Sequence, residues 1–293
     1  MKFLFLLILL ISCSTISVAE DSKTFEETKT LAEQGNAEAQ YNLSVFYSTG
    51  ESTTQDDQKA FEWMKKSAEQ GYAEAQYLLG SLYHWELGSA TENYKIAIEW
   101  YKKSAKQGND KAQYNLGLLY SNGEGTTKNH QKALEWYTKA AEQGNADAQG
   151  ILGIMYYAGI GTTKNNEKAF EWHKKSAEQG NHIAQYWLGK CYLHGTGTTK
   201  NYQKAFKWTK KSAEQGLAEA QHNLGTMYLA GIGTTKNYKK SYTHFLICDY
   251  LEHDQDTVKE LINELEQKLS TQAITDAQDE AEKMIQDLNR NKL

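Results

Sequence analysis

Residues 109–120 read Asn109-Asp110-Lys111-Ala112-Gln113-Tyr114-Asn115-Leu116-Gly117-Leu118-Leu119-Tyr120. Ala112, Leu116, Leu119 and Tyr120 fall at i, i+4, i+7 and i+8, which lays apolar side chains along one face of a helix. Gly123 and Gly125 stop that helix, because glycine takes up the left-handed backbone that ends one. Thr126-Thr127-Lys128 makes the turn. Asn129 is placed to cap a second helix, His130 to Gln143, by accepting a bond from a free N–H at its start. Ala133, Trp136, Ala140 and Ala141 form the expected buried stripe of that helix, and Gly144 closes it. One such helix pair is too small to bury its own apolar face.

The same pattern, A-Q-x-x-L-x-x-x-Y, returns six times. Gln stands at 40, 76, 113, 149, 185 and 221, Leu at 43, 79, 116, 152, 188 and 224, and Tyr at 47, 83, 120, 156, 192 and 228. The spacing is 36 residues, with one extra between the second and third copies. A period in this range means stacked units that share their cores, and it overrides any division suggested by the length of 293 residues. The chain contains no proline, so glycine must break the helices.

Two composite motifs carry a family resemblance: A-x-A-Q-x-x-L-G-x-x-Y-x-x-G-x-G, then K-A-x-x-W-x-x-K-A-A-E-Q-G. Together they resemble the Sel-like repeat (SLR), a relative of the tetratricopeptide repeat, over residues 36 to about 250. The resemblance implies an all-α, right-handed superhelical solenoid of antiparallel helix pairs. Departures are few. Ser44 stands where Gly80, Gly117, Gly153, Gly189 and Gly225 sit later. The second copy has an altered loop at 86–91, and the last second helix has Ser241 and His244 where Ala205 and Trp208 stood. The organisation expected is a signal peptide at 1–19, a capping helix in 20–35, six SLR units at 36–251 and a helical cap at 252–293. Phe25 and Leu31 mark the first cap. Val258, Leu261, Ile262, Leu265 and Leu269, then Ile274, Ala277, Ala281 and Met284, mark an amphipathic pair, with Ser270 or Thr271 capping its second helix.

Little points to chemistry. The 32 basic and 37 acidic side chains give no nucleic-acid footprint, and the acid gathers in residues 241–293, twelve against five basic. Cys191 takes a slot held elsewhere by Phe46, Leu82, Leu119, Met155 and Met227. Cys248 takes a small-residue slot in the second helix of the next repeat, and no pairing is expected. This departs from the cysteine-rich branch of the SLR family. Eight histidines include no H-x-x-x-H or H-E-x-x-H pair. The Gly-x-Gly-Thr-Thr-Lys segments at 123–128, 159–164, 195–200 and 231–236 lack the spacing of a phosphate loop and read as inter-helix turns. Some SLR relatives are linked to penicillin binding, but neither Ser-x-x-Lys nor Lys-Thr-Gly occurs. Neither a catalytic group, a metal nor a cofactor is expected.

Binding is the remaining class. Solenoids bind on their concave face, which first helices line in tetratricopeptide-like stacks. First-helix positions off the apolar stripe vary between copies. Among them Tyr41, Tyr77, Tyr114, Tyr157, Tyr186 and His222 form an aromatic series suited to a peptide segment or a globular partner. The reading is a monomeric, non-catalytic adaptor of the bacterial envelope or host interface. The alternative is a periplasmic inhibitor of immunity type that clamps an envelope-active enzyme. An endoplasmic-reticulum origin within the same family stays open.

Lys2 followed by the apolar run Phe3 to Ile11 reads as a targeting segment too short to span a bilayer. Leu10-Ile11-Ser12-Cys13 resembles a lipobox, which would make Cys13 the lipidated N-terminus of a periplasmic-side or outer-membrane lipoprotein. Ser17-Val18-Ala19 instead fits ordinary cleavage before Glu20, releasing a soluble or secreted form. If Cys13 is lipidated, the wild type partitions into detergent with the membrane fraction and Cys13→Ala abolishes this. Mass analysis that finds a mature chain beginning at Glu20 decides for ordinary cleavage.

Overall fold

The computed structural model describes residues 21–86, 90–252 and 255–290. The export segment and Cys13 lie outside the described residues. Two compact units divide the chain, Met1–Asn145 and Ala146–Leu293. In the first, α1 (Asp21–Glu33) precedes three helix pairs: α2 (Ala37–Thr49) with α3 (Asp57–Glu69), α4 (Ala73–Ser81) with α5 (Thr91–Lys106), and α6 (Asp110–Asn122) with α7 (His130–Glu142). The second holds α8 (Ala146–Ala158) with α9 (Asn166–Glu178), α10 (His182–His194) with α11 (Tyr202–Glu214), and α12 (Ala218–Ala230) with α13 (Tyr238–Tyr250). It ends in α14 (Gln255–Glu266) and α15 (Thr271–Arg290). The described residues contain no strand, and within each unit the helices up to α14 pack against their chain neighbours, while α15 packs back on α13. The class is the all-α solenoid type that the repeat implied.

Capping explains where the helices start. Asn129 Oδ1 accepts from the Lys132 N–H at 2.9 Å, as predicted, and Asp56, Asn165, Asn201 and Asn237 do the same for their helices. Asn36, Asn109 and Asn181 cap first helices. The second glycine of the G-x-G turn has its own constraint. At Gly197, with φ 67°, a Cβ would stand 2.0 Å from the Asn166 carbonyl oxygen, so no other residue lets this turn lie against α9. Where the other repeats stop on glycine the second has none, and its helix widens into a π turn at Leu82–Glu86.

Each repeat from the second to the sixth buries one second-helix side chain, large in all but the fifth, against the glycine after the repeat's leucine. Gly117 faces Tyr137: a Cβ there would lie 2.6 Å from the ring. Gly80 faces Tyr101, Gly153 faces His173, Gly189 faces Thr209 and Gly225 faces Phe245. This corrects the expected stripe of α7, for Tyr137 is buried and Trp136 only half-buried. Trp136 is instead covered by the Lys139 ammonium, 4.2 Å from its ring centroid. The arrangement recurs at Trp63/Lys66, Trp100/Lys103, Trp172/Lys175 and Trp208/Lys211. Lys66, Lys103, Lys175 and Lys211, each the second of two adjacent lysines, are therefore aromatic covers as well as charges.

The glutamines that mark the period are buried joints. Gln76 Nε2 donates to the Ala68 carbonyl at 3.0 Å, across from one repeat to the next, and its Oε1 accepts from Gln107 at 2.9 Å. Gln40, Gln113 and Gln185 do the same with Ala32 and Gln70, Ala105 and Gln143, and Ala177 and Gln215. Ser67, Ser104, Ser176 and Ser212 donate to the carbonyls of Ala37, Ala73, Ala146 and His182 at 2.6–2.7 Å.

At the N-terminal end Phe25 meets Phe46 edge to face, centroids 5.6 Å apart. Leu31 does not join it, being 48% exposed, and Ala32 takes the packing role expected of it. At the C-terminal end Val258, Leu265 and Ala277 close over Tyr242 and Phe245. Ser270 caps α15 through the Ala273 N–H.

Because Tyr137 already touches Gly117, Gly117→Ala is expected to destabilise by about 1–3 kcal/mol through overpacking. The double change Gly117→Ala with Tyr137→Leu, which gives the ring's space back, should recover part of that loss. Chemical denaturation of the three proteins checks both.

Candidate interaction face on the first helices

Of the six residues of the aromatic series, Tyr41, Tyr114, Tyr157, Tyr186 and His222 are half-buried and Tyr77 is buried, and none is a free-standing ring. In the first unit Tyr41 packs on Tyr72 with centroids 5.2 Å apart, and Tyr114 on Tyr137 at 5.7 Å. Burial, reinforced by the nearby Glu74 carboxylate, pushes the Tyr41 hydroxyl up to about 12. Tyr77 is withdrawn from the face altogether. It is 5% exposed and lies 6.1 Å from Tyr101, so it fills the core rather than lining a surface. It leaves the face expected of it because Tyr101 reaches under the slot and gives the ring a wall to lie on.

In the second unit the series concentrates. Tyr157 and Tyr186 both pack on Trp187, with centroid separations of 5.3 and 6.0 Å. Trp187 went unread in the sequence. Its slot holds Asn42, Leu78, Asn115, Ile151 and Asn223 in the other copies, and a lone large aromatic in a drifting slot was the available signal. The Lys190 ammonium stands 4.7 Å from the Trp187 centroid and 5.4 Å from that of Tyr186, while Lys164 stands 5.3 Å from that of Tyr157. His222 lies apart from these rings, edge-on to Phe245 at 5.8 Å.

Beneath Trp187 lies His173, its ring parallel to the indole within 5° and 5.7 Å from it. His173 is 1% exposed, and neither ring nitrogen has a hydrogen-bond partner among the described residues. Burial alone pulls its pKa down to about 4, so the imidazole is neutral. His84 and His244 are also buried. The Nδ1 of His244 lies 2.8 Å from Gln221 Oε1. Because Gln221 Nε2 already donates to the Ala213 carbonyl, Nδ1 carries the proton.

The arrangement supplies stacking surface and ammonium groups, not a nucleophile with a base. Cys191 and Cys248 are buried, and burial pushes the Cys191 thiol up to about 11, the inert end of the thiol range. Among the described residues no three His, Cys, Asp or Glu side chains are grouped to hold a metal. No helix among them is long and apolar enough to cross a membrane.

A family model described as the Sel1 repeat matches residues 37–72, 73–109, 110–145, 146–181, 182–217 and 218–247. Among solved structures, c5321, a protective antigen present in uropathogenic Escherichia coli strains and displaying an SLR fold, is 35% identical with a TM-score of 0.79. The match covers 97% of this chain and 60% of that one, so the chain spans about three-fifths of the relative's length. A Sel1 repeat protein from Oxalobacter formigenes is 29% identical with a TM-score of 0.66, over 90% of this chain and 75% of that one. No curated protein matches the chain.

His173 makes stability depend on pH. Its folded pKa lies below the ordinary 6.5, so the stability tied to its neutral form is intact above 6.5. It is lost as pH falls from there through about 4, by up to roughly 3 kcal/mol. His173→Phe, which copies the Phe245 of the corresponding slot, should flatten that part of the acid limb and leave the part due to His244. Thermal melts between pH 7 and 4 read the difference.

Proposed function

The chain belongs to the Sel1 repeat family, and we propose that it is an exported, non-catalytic adaptor that holds a protein partner on its first-helix face. The family's fold is in general a scaffold for protein interaction and not a catalytic one. The observation that carries the finer reading is the cluster of Tyr157, Tyr186 and Trp187 on α8 and α10. All three rings are only half-buried, although the core positions beside them are sealed. Rigid aromatic rings bury large area on association at low entropic cost, and interface hot spots are rich in Tyr and Trp. The N-terminal targeting segment supports export, and with it a partner in the envelope or beyond it.

The test is capture of partners from the protein's own envelope, followed by calorimetry on the one identified. Truncating a hot-spot tyrosine costs 2 kcal/mol or more, about thirtyfold in affinity. Tyr157→Ala with Tyr186→Ala is therefore expected to weaken binding at least about a hundredfold while the melting temperature moves by only a few degrees. Intact affinity with a large loss of stability would make these rings packing residues and send the binding surface elsewhere.

A further inference from the structure

On the chemistry of the same cluster, and resting on the partner-binding reading above, we propose that the segment it takes is acidic and apolar together. An aromatic or aliphatic side chain lies on Trp187, and a flanking carboxylate pairs with Lys190 and Lys164. The charges are one-sided. Lys190 and Lys164 stand over adjoining rings whose centroids are 5.3 Å apart, and neither ammonium has a carboxylate within ion-pair distance among the described residues. The carboxylates of α8 and α12 sit in their first turns, at Asp147 and Glu219. Asp147 is already engaged by Asn181 at 2.8 Å. A basic segment would have to displace two ammonium groups from the rings, whereas an acidic one uses them where they are.

Trp187 is the fitting anchor because its position is fixed from below. The indole rests parallel on His173, a side chain wholly enclosed and with no hydrogen bond of its own. The neutral imidazole offers a flat support without a competing charge. Asn115 and Asn223, in the same slot of other repeats, present no such ring. Pre-positioned aromatic surface with ammonium groups at its edge combines an apolar anchor with charge-assisted hydrogen bonding, the pairing that gives short peptide motifs both hold and direction.

Two blocked pentapeptides serve as probes, Asp-Phe-Asp-Leu-Asp and Lys-Phe-Lys-Leu-Lys, titrated into the full chain while the indole N–H resonances of its seven tryptophans are followed. Trp187→Phe identifies the Trp187 signal. The acidic peptide is expected to move that signal saturably and the basic one to leave it in place. Lys190→Glu, a surface change, should weaken the acidic peptide by about tenfold or more with the melting temperature unchanged. If the basic peptide moves the Trp187 signal equally, or Lys190→Glu leaves the affinity intact, the charge assignment is overturned while the face remains a binding face. If neither peptide moves it at millimolar concentration, the proposal is overturned. The wider reading then stands or falls on the Tyr157 and Tyr186 changes against the captured partner, which involve neither peptide.

Discussion

Within each unit a buried primary amide holds one repeat to the one before it. The C-terminal end of a helix leaves carbonyl oxygens without intrahelical partners, and a buried amide left unsatisfied costs on the order of 1–3 kcal/mol. Gln76 satisfies its own amide and adds a second donor to a carbonyl that already accepts from the Gly71 N–H at 3.1 Å. It donates to the Ala68 carbonyl at the end of the preceding second helix and accepts from Gln107 at the end of its own. Three helices are thereby held in one register, and neither sliding nor rotating one of them is possible without stranding a polar group. A serine bond to the first carbonyl of four of the six first helices, such as Ser104 to Ala73, repeats the constraint from the other side. Distance is set separately, by glycine against a large side chain, as with Gly117 and Tyr137.

With register and spacing held by these few residues, the rest of each first helix is free to vary, and its variation is governed from beneath. The second-helix residue buried against the glycine decides what the next first helix can present. Tyr101 offers a hydroxyl, and Asn115 above it is drawn in by a hydrogen bond of 3.1 Å. His173 offers a flat face without a bond, and Trp187 lies on it. Thus the chemistry of the outer surface is coupled to a core position. A substitution at His173 would change what Trp187 offers to a partner without touching that partner.

Helix starts, caps, turns and the number of repeats were legible in the sequence because each is set by local rules acting within a few residues. Asn129 accepts a bond from its own helix, and glycine ends a helix by its own backbone freedom. What was not legible depends on which neighbour lies across the gap. Tyr137 and Trp136 are adjacent and both apolar, and only the glycine on the facing helix makes Tyr137 the buried one. Tyr77 and Tyr114 share a slot, yet the first is sealed and the second half-buried. Leu31 lost its expected packing role to Ala32, since a close helix contact favours the smaller side chain. The recurring glutamine served as a marker of period, while the glutamine 30 or 31 residues after it, which completes the joint, stood unnoticed inside the E-Q-G signature.

The sixth repeat shows what ending such a stack requires. Leu251 replaces the closing glutamine, so Gln221 would lose its donor, and His244 in the tryptophan slot supplies Nδ1–H instead. The basic pair of the earlier second helices becomes Leu246-Ile247, which turns a solvated face into an apolar one. That face is then covered: Ile247 is fully enclosed in a cluster with Ala281 and Leu288 of α15. Each change alone would be harmful, since an apolar pair without α15 exposes Ile247 and a missing glutamine without His244 strands Gln221. Their joint appearance in one repeat fits α13 to α15, because the face that the Lys-Lys pairs of earlier second helices leave solvated is here apolar and enclosed by Ala281 and Leu288.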